Sequence, residues 1–84
     1  MLFITQLEPL PGMDLQAIKR FKNPKVPDGI KVLKFYGLFG KPDAIIIFEA
    51  DDERCASDFV IQFGEVAKMN TSLAFSIEKL RWTR

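Results

Sequence analysis

The sequence predicts an α+β domain of the ferredoxin-like type, with four antiparallel strands in one sheet and two helices on one of its faces. Three observations carry this. Strand-like and helix-like patterns follow one another in the order strand, helix, strand, strand, helix, strand within 84 residues. The Gly/Pro/Asp-bearing stretch Gly37 to Asp43 joins the second and third strands as a hairpin. Between that turn and Asp51, the run Ala44-Ile45-Ile46-Ile47-Phe48 is apolar on both faces, as a central strand covered on both sides must be.

The first strand is expected over Leu2 to Glu8, where Phe3, Ile4 and Thr5 favour extended backbone. Pro9-Leu10-Pro11-Gly12 stops it, because proline cannot donate to a ladder and glycine permits a tight reversal. Asp14 is the expected N-cap of the first helix, with Leu15, Ile18 and Phe21 as its apolar stripe and Lys19, Arg20 and Lys22 on the wet side. Asn23-Pro24 ends it. The second strand spans Ile30 to Tyr36, with Ile30 and Val32 on one side and Leu33 and Phe35 on the other. The third spans Ala44 to Ala50.

Asp51 or Asp52 caps the second helix and Glu53 sits near its positive dipole end. Cys55, Ala56, Phe59, Phe63, Val66 and Ala67 give that helix its stripe, with Gly64 weakening or ending it. Leu73, Phe75 and Ile77 alternate with polar residues in the last strand, a pattern Leu80 and Trp82 extend. Right-handed crossovers place strands one and three in the centre and both helices on one face. The opposite face is then bare in a single chain.

The length allows one domain, residues 1–84. Ala44 to Phe48 is the longest apolar run and far too short to cross a membrane, and the first residues lack the pattern of a signal peptide. With one cysteine, no intramolecular disulfide forms, and a cytoplasmic location follows as the expectation. Histidine is absent, which removes haem–histidine ligation, histidine-based triads and ordinary zinc sites.

Net charge is +1 but unevenly spread. Residues 19–41 hold seven basic residues against Asp28, a net of +6; residues 42–65 hold seven acidic residues against Arg54, a net of −6. Such a split either marks an anionic partner for the first block or brings the two blocks side by side on adjacent helices.

These residues also resemble a known group. The turn Pro9-Leu10-Pro11-Gly12, the pair Arg20-Phe21, the strand entry Gly29-Ile30-Lys31 and the strand end Glu49-Ala50-Asp51-Asp52 are similar to those of short uncharacterised domains of the dimeric α+β barrel type. Gly40-Lys41-Pro42-Asp43 is a distant likeness of the Gly-Tyr-Asp signature of related domains. The resemblance covers nearly the whole chain. It implies the ferredoxin-like fold and a homodimer packed sheet face to sheet face, and it brings no catalytic residues. Broader relatives include monooxygenases, haem-degrading enzymes and ligand-sensing modules, among which fold alone does not choose.

Three residues stand out as candidate ligand-binding groups. Tyr36 is the sole tyrosine and lies beside Phe35, near Phe39; its phenol needs a partner if buried. Lys34 shares its side of the strand. Glu49 ends the apolar strand on the side of Ile45 and Ile47, where a closed cavity would raise its pKa and a solvated strand end or a lysine would not. Capping and the helix dipole account for Asp51-Asp52-Glu53 without a metal. Cys55 falls on an apolar stripe with no activating base in view. Trp82 beside Arg81 is a candidate interface anchor. Phe35 to Gly40 only faintly echoes an RNA-recognition signature, and with near-neutral charge no nucleic-acid partner is expected.

The expectation is a homodimer through the sheet face. It acts either as a non-catalytic assembly or small-molecule-binding module, or as a cofactor-independent, monooxygenase-like enzyme acting on a small hydrophobic substrate between sheet and helices. No cofactor, metal or membrane partner is expected.

Overall fold

The computed structural model describes residues 1–79. Its elements are β1 (Leu2–Pro9), α1 (Asp14–Lys22), β2 (Ile30–Gly37), β3 (Ala44–Ala50), α2 (Glu53–Val60) continued by a single 3₁₀ turn (Ile61–Phe63), and β4 (Ala67–Ala74), followed by a 3₁₀ turn at Ile77–Lys79. The four strands form one antiparallel sheet in the order β2-β3-β1-β4, which is the ferredoxin-like βαββαβ arrangement.

One face of the sheet and the two helices enclose the core. Phe3, Leu7, Ile46 and Phe48 from the sheet meet Ala17 of α1 and Ala56, Phe59 and Val60 of α2. Six of the eight phenylalanines pack ring to ring along this layer. The chain runs Phe3–Phe48 at 5.6 Å, Phe48–Phe59 at 5.0 Å, Phe59–Phe63 at 6.0 Å, Phe63–Phe21 at 5.7 Å and Phe21–Phe35 at 5.9 Å. These spacings are those of edge-to-face and offset pairs, so the aromatic set ties β1 to β2 through both helices. Thr5, the one fully buried polar side chain among the described residues, shares a 2.8 Å hydrogen bond with its cross-strand partner Thr71.

Several expectations change. Asp14 is the first helical residue and not the cap; Met13 stands at the cap without a side-chain hydrogen bond, and Asp14 acts only through the dipole of the first turn. The buried line of α1 is Met13, Ala17 and Phe21, spaced by four, so Leu15 is 74% exposed and Ile18 46%. Small Ala17 lets the helix lie close to the sheet, and that sets the rotation.

The second strand is bulged between Val32 and Lys34. The extra residue, Leu33, flips the alternation beyond it. Phe35 therefore joins Ile30 and Val32 on the helix side, opposite Ile46, instead of sharing a side with Leu33.

α2 ends at Val60 and does not run on to Ala67. Gly64 closes the 3₁₀ turn through its N–H to the Ile61 carbonyl, and Val66 and Ala67 turn into the sheet. β4 correspondingly starts at Ala67 and stops at Ala74, earlier than the Leu73–Ile77 alternation suggests. All eight of its residues pair with Leu2–Pro9, so a polar stretch, Asn70-Thr71-Ser72, is held extended by the central strand beside it. The expected continuation through Leu80 and Trp82, and the anchor role of Trp82, lie outside the described residues.

The two charge blocks do not pair with each other: among the described residues the ion pair is Lys41–Glu8 at 3.6 Å. Arg20 instead donates to the Gln62 carbonyl, within the turn that follows α2, where backbone acceptors lack helical partners.

Candidate functional site

The open face of the sheet follows from the register. β1 presents Leu2, Ile4 and Gln6; β3 presents Ile45, Ile47 and Glu49 opposite them; β4 presents Asn70, Ser72 and Ala74. Ile4 lies directly across from Ile47, and Gln6 across from Ile45. Leu2, Ile4, Ile45 and Ile47 are only partly covered, because among the described residues both helices pack on the other face. The result is an apolar centre rimmed by Lys31, Lys34, Glu49, Gln6 and Asn70.

The bulge in β2 puts Lys34 and Tyr36 on this face, opposite Ile47 and Ile45. Tyr36 is about half exposed at the sheet edge. Phe35 points to the other side and Phe39 sits fully exposed at the hairpin tip, so the three aromatics do not gather into one pocket. Glu49 is on the same face but beside Lys31. It stands four residues along β3 from Ile45, the partner of Tyr36, a distance of about 13 Å along a strand. Glu49 lines a shallow polar hollow of about 510 Å³ with Lys31, Gly29 and Asp51, which includes neither Tyr36 nor Lys34. The structure thus puts Tyr36 and Lys34 on one face of β2 and leaves Glu49 well apart from Tyr36.

A second feature lies on the helix side, between α1, β2 and the loop joining them. It is an apolar groove of about 470 Å³ walled by Ile18, Phe21, Val26, Val32 and Phe35, with Lys22 at its rim. Gln62 holds the loop in place: its Nε2 donates to the Lys25 and Phe59 carbonyls and its Oε1 accepts from the Lys25 N–H, each at 2.8 Å.

The N-terminus of α2 is capped by Asp52, which accepts from the Cys55 N–H at 2.8 Å. That backbone hydrogen bond, with the one from the Cys55 thiol, holds the Asp52 carboxyl below its ordinary range. In turn the Asp52 carboxylate and partial burial push the Cys55 thiol up, the opposite of what a nucleophilic cysteine needs. Among the described residues no three His, Cys, Asp or Glu side chains are grouped to hold a metal, and no helix is long and apolar enough to cross a membrane.

A family profile described as "Domain of unknown function (DUF3303)" matches residues 1–82. The chain belongs to the DUF3303 family. Neither the characterised proteins nor the solved structures contain a match to this DUF3303 domain.

Two parts of the DUF3303 surface are missed by the sequence reading above, one of them with a signal in the sequence and one without. Leu2 and Ile4 complete the apolar patch, and their signal is present: Phe3 and Leu7 fill the core side while Leu2 and Ile4 make β1 apolar on the other. The groove has no linear signal, since its walls come from a helix, a loop and a bulged strand.

Proposed function

We propose that this DUF3303 domain is a homodimeric assembly module, with no chemistry of its own, in which two copies dock through the open faces of their sheets. The observation that carries the reading is the patch of Leu2, Ile4, Ile45 and Ile47, contiguous across the two central strands on the face opposite the one where the described helices α1 and α2 pack. Apolar patches of this kind mark protein interfaces, and a two-fold axis lets one patch serve both partners. Tyr36 at the edge, half exposed, fits an interface rim where its ring packs and its hydroxyl stays wet. The resemblance to dimeric α+β barrels supports the same geometry. A single cysteine, which allows no disulfide within the chain, fits a cytoplasmic compartment.

Light scattering tests the assembly. The expected mass is twice 9.6 kDa at micromolar concentration, and a monomer throughout that range overturns the reading.

Cofactor-independent catalysis on a small hydrophobic substrate is the weaker reading. It would use Tyr36 and Glu49 as acid and base on one substrate, and general acid–base work requires both within hydrogen-bond reach of the reacting atoms. Their separation along β3 opposes that arrangement within one chain.

A further inference from the structure

The groove beside α1 lies on the face opposite the proposed interface, so what it binds is independent of assembly. Two observations bear on its occupant. First, its lining is apolar: the rings of Phe21 and Phe35 lie 5.9 Å apart, and Ile18, Val26 and Val32 line the groove with them. A volume of about 470 Å³ is within the range of small-ligand sites. Val26 is held at its position by the clamp of Gln62 on the neighbouring Lys25 backbone, so the loop wall is anchored to the core before any ligand arrives.

Second, almost the entire groove is built from the basic segment. All its walls but Ala44 fall between Ile18 and Gly37, and the stretch 19–41 carries a net +6. Apart from Arg20, which donates to the Gln62 carbonyl, little of that charge is spent internally. Lys41 pairs with Glu8, and among the described residues Lys19, Lys22, Lys25, Lys31 and Lys34 form no ion pair. Among the described residues Lys22 is the sole charged side chain in the lining, and no carboxylate accompanies it. An apolar slot with one cation at its mouth is complementary to an apolar molecule with one anionic end.

We propose that this groove binds a small apolar carboxylate, its hydrocarbon or aryl body against the Phe21–Phe35 pair and its carboxylate at Lys22. Lys22 stands in the last turn of α1, so its long side chain can follow a carboxylate at the mouth while its stem covers the apolar wall.

The test is a titration of the whole isotope-labelled chain with octanoate, and in parallel with octan-1-ol, followed by amide and methyl chemical shifts. Octanoate is expected to saturate at about millimolar concentration or tighter, with shifts centred on Ile18, Val26 and Val32. Lys22→Gln is expected to weaken octanoate by about two- to fivefold and to leave octan-1-ol unchanged. Ile18→Trp, at a half-exposed position that fills the slot, is expected to abolish both while the circular dichroism stays native. The proposal is overturned by shifts that do not saturate, by shifts centred on Ile4, Ile45 and Ile47, or by octanoate affinity unchanged in a folded Lys22→Gln protein.

Discussion

The carboxamide of Gln62 closes on the backbone of Lys25 from both sides, donating to its carbonyl and accepting from its N–H at 2.8 Å each. A side-chain amide here replaces a missing strand neighbour for the α1–β2 loop. Gln62 also donates to the Phe59 carbonyl, and its own carbonyl receives Arg20. One residue thus joins α1, the loop and the end of α2. Gln62→Ala removes three hydrogen bonds at the margin of the core, and the expected loss is about 1–2 kcal/mol in urea unfolding. Gln62→Glu keeps the acceptor for Lys25 and loses both donations. Its second carboxylate oxygen faces the Lys25 and Phe59 carbonyls, so it is expected to cost at least as much as Gln62→Ala, with faster amide exchange in the loop.

Gly29 enters β2 at φ +88°, and a Cβ built there would stand 3.0 Å from Asp51 Oδ2 and 3.6 Å from Cys55 Sγ. Its carbonyl also accepts from the Asp51 N–H. Gly29→Ala therefore meets both left-handed backbone strain and a crowded side chain. The expected cost is about 1–2 kcal/mol, or a fall in melting temperature of roughly 4–15 °C for a domain of this size.

Asp52 and Cys55 give a pH dependence with a definite sign. The Asp52 carboxyl titrates lower in the folded chain than in the unfolded one, because it accepts hydrogen bonds from Cys55. The contribution is therefore present in full above the unfolded value, near pH 4, and is lost as pH falls through the folded one. Asp52→Asn keeps the cap and is expected to flatten the acid limb of the stability profile. Asp52→Ala loses the cap and is expected to lower the melting temperature by a few degrees at neutral pH.

The same pair predicts a slow thiol. Cys55 is raised by its hydrogen bond with the Asp52 carboxylate and by partial burial. At pH 8 its alkylation by iodoacetamide is expected to be slower than in the urea-unfolded chain. Asp52→Asn removes the carboxylate charge and is expected to speed that reaction while the helix remains formed. Equal rates in folded and unfolded protein would remove the claim.

Much of the fold is legible because its signals are local. Asp52, three residues before Cys55, caps α2 as its residue type predicts. The Ile45-Ile46-Ile47 run marks β3 as central, flanked by β1 and β2. What escapes depends on partners distant in sequence. The bulge at Leu33 is a register decision between β2 and β3, and no residue of Ile30–Tyr36 announces it. The rotation of α1 follows from Ala17 seating against the sheet, where a stripe counted by threes favoured Leu15. Polar β4 is extended because β1 needs a second neighbour. The site shows the same division. Lys34 and Tyr36 share a face by simple alternation, whereas the separation of Tyr36 from Glu49 requires the cross-strand register.

Ile46 and Ile47 are neighbours in sequence with opposite roles, and the contrast separates folding from assembly. Ile46 is 0% exposed on the helix side of β3, in the core cluster with Phe48 and Phe59. Ile46→Ala leaves a cavity there and is expected to cost about 2–5 kcal/mol, a large share of the stability of so small a domain. Ile47 points the other way, across from Ile4 at the centre of the open face. Ile47→Lys puts a charge where the proposed partner sheet packs, and an unpaired charge in an apolar interface is strongly disfavoured. It also lies next to Lys34 on β2, which adds like-charge repulsion. The chain is expected to stay folded, since a lysine on a solvated sheet face reaches water, and to sediment as a monomer. A folded Ile47→Lys chain that keeps the wild-type mass would place the contact between copies somewhere other than this face.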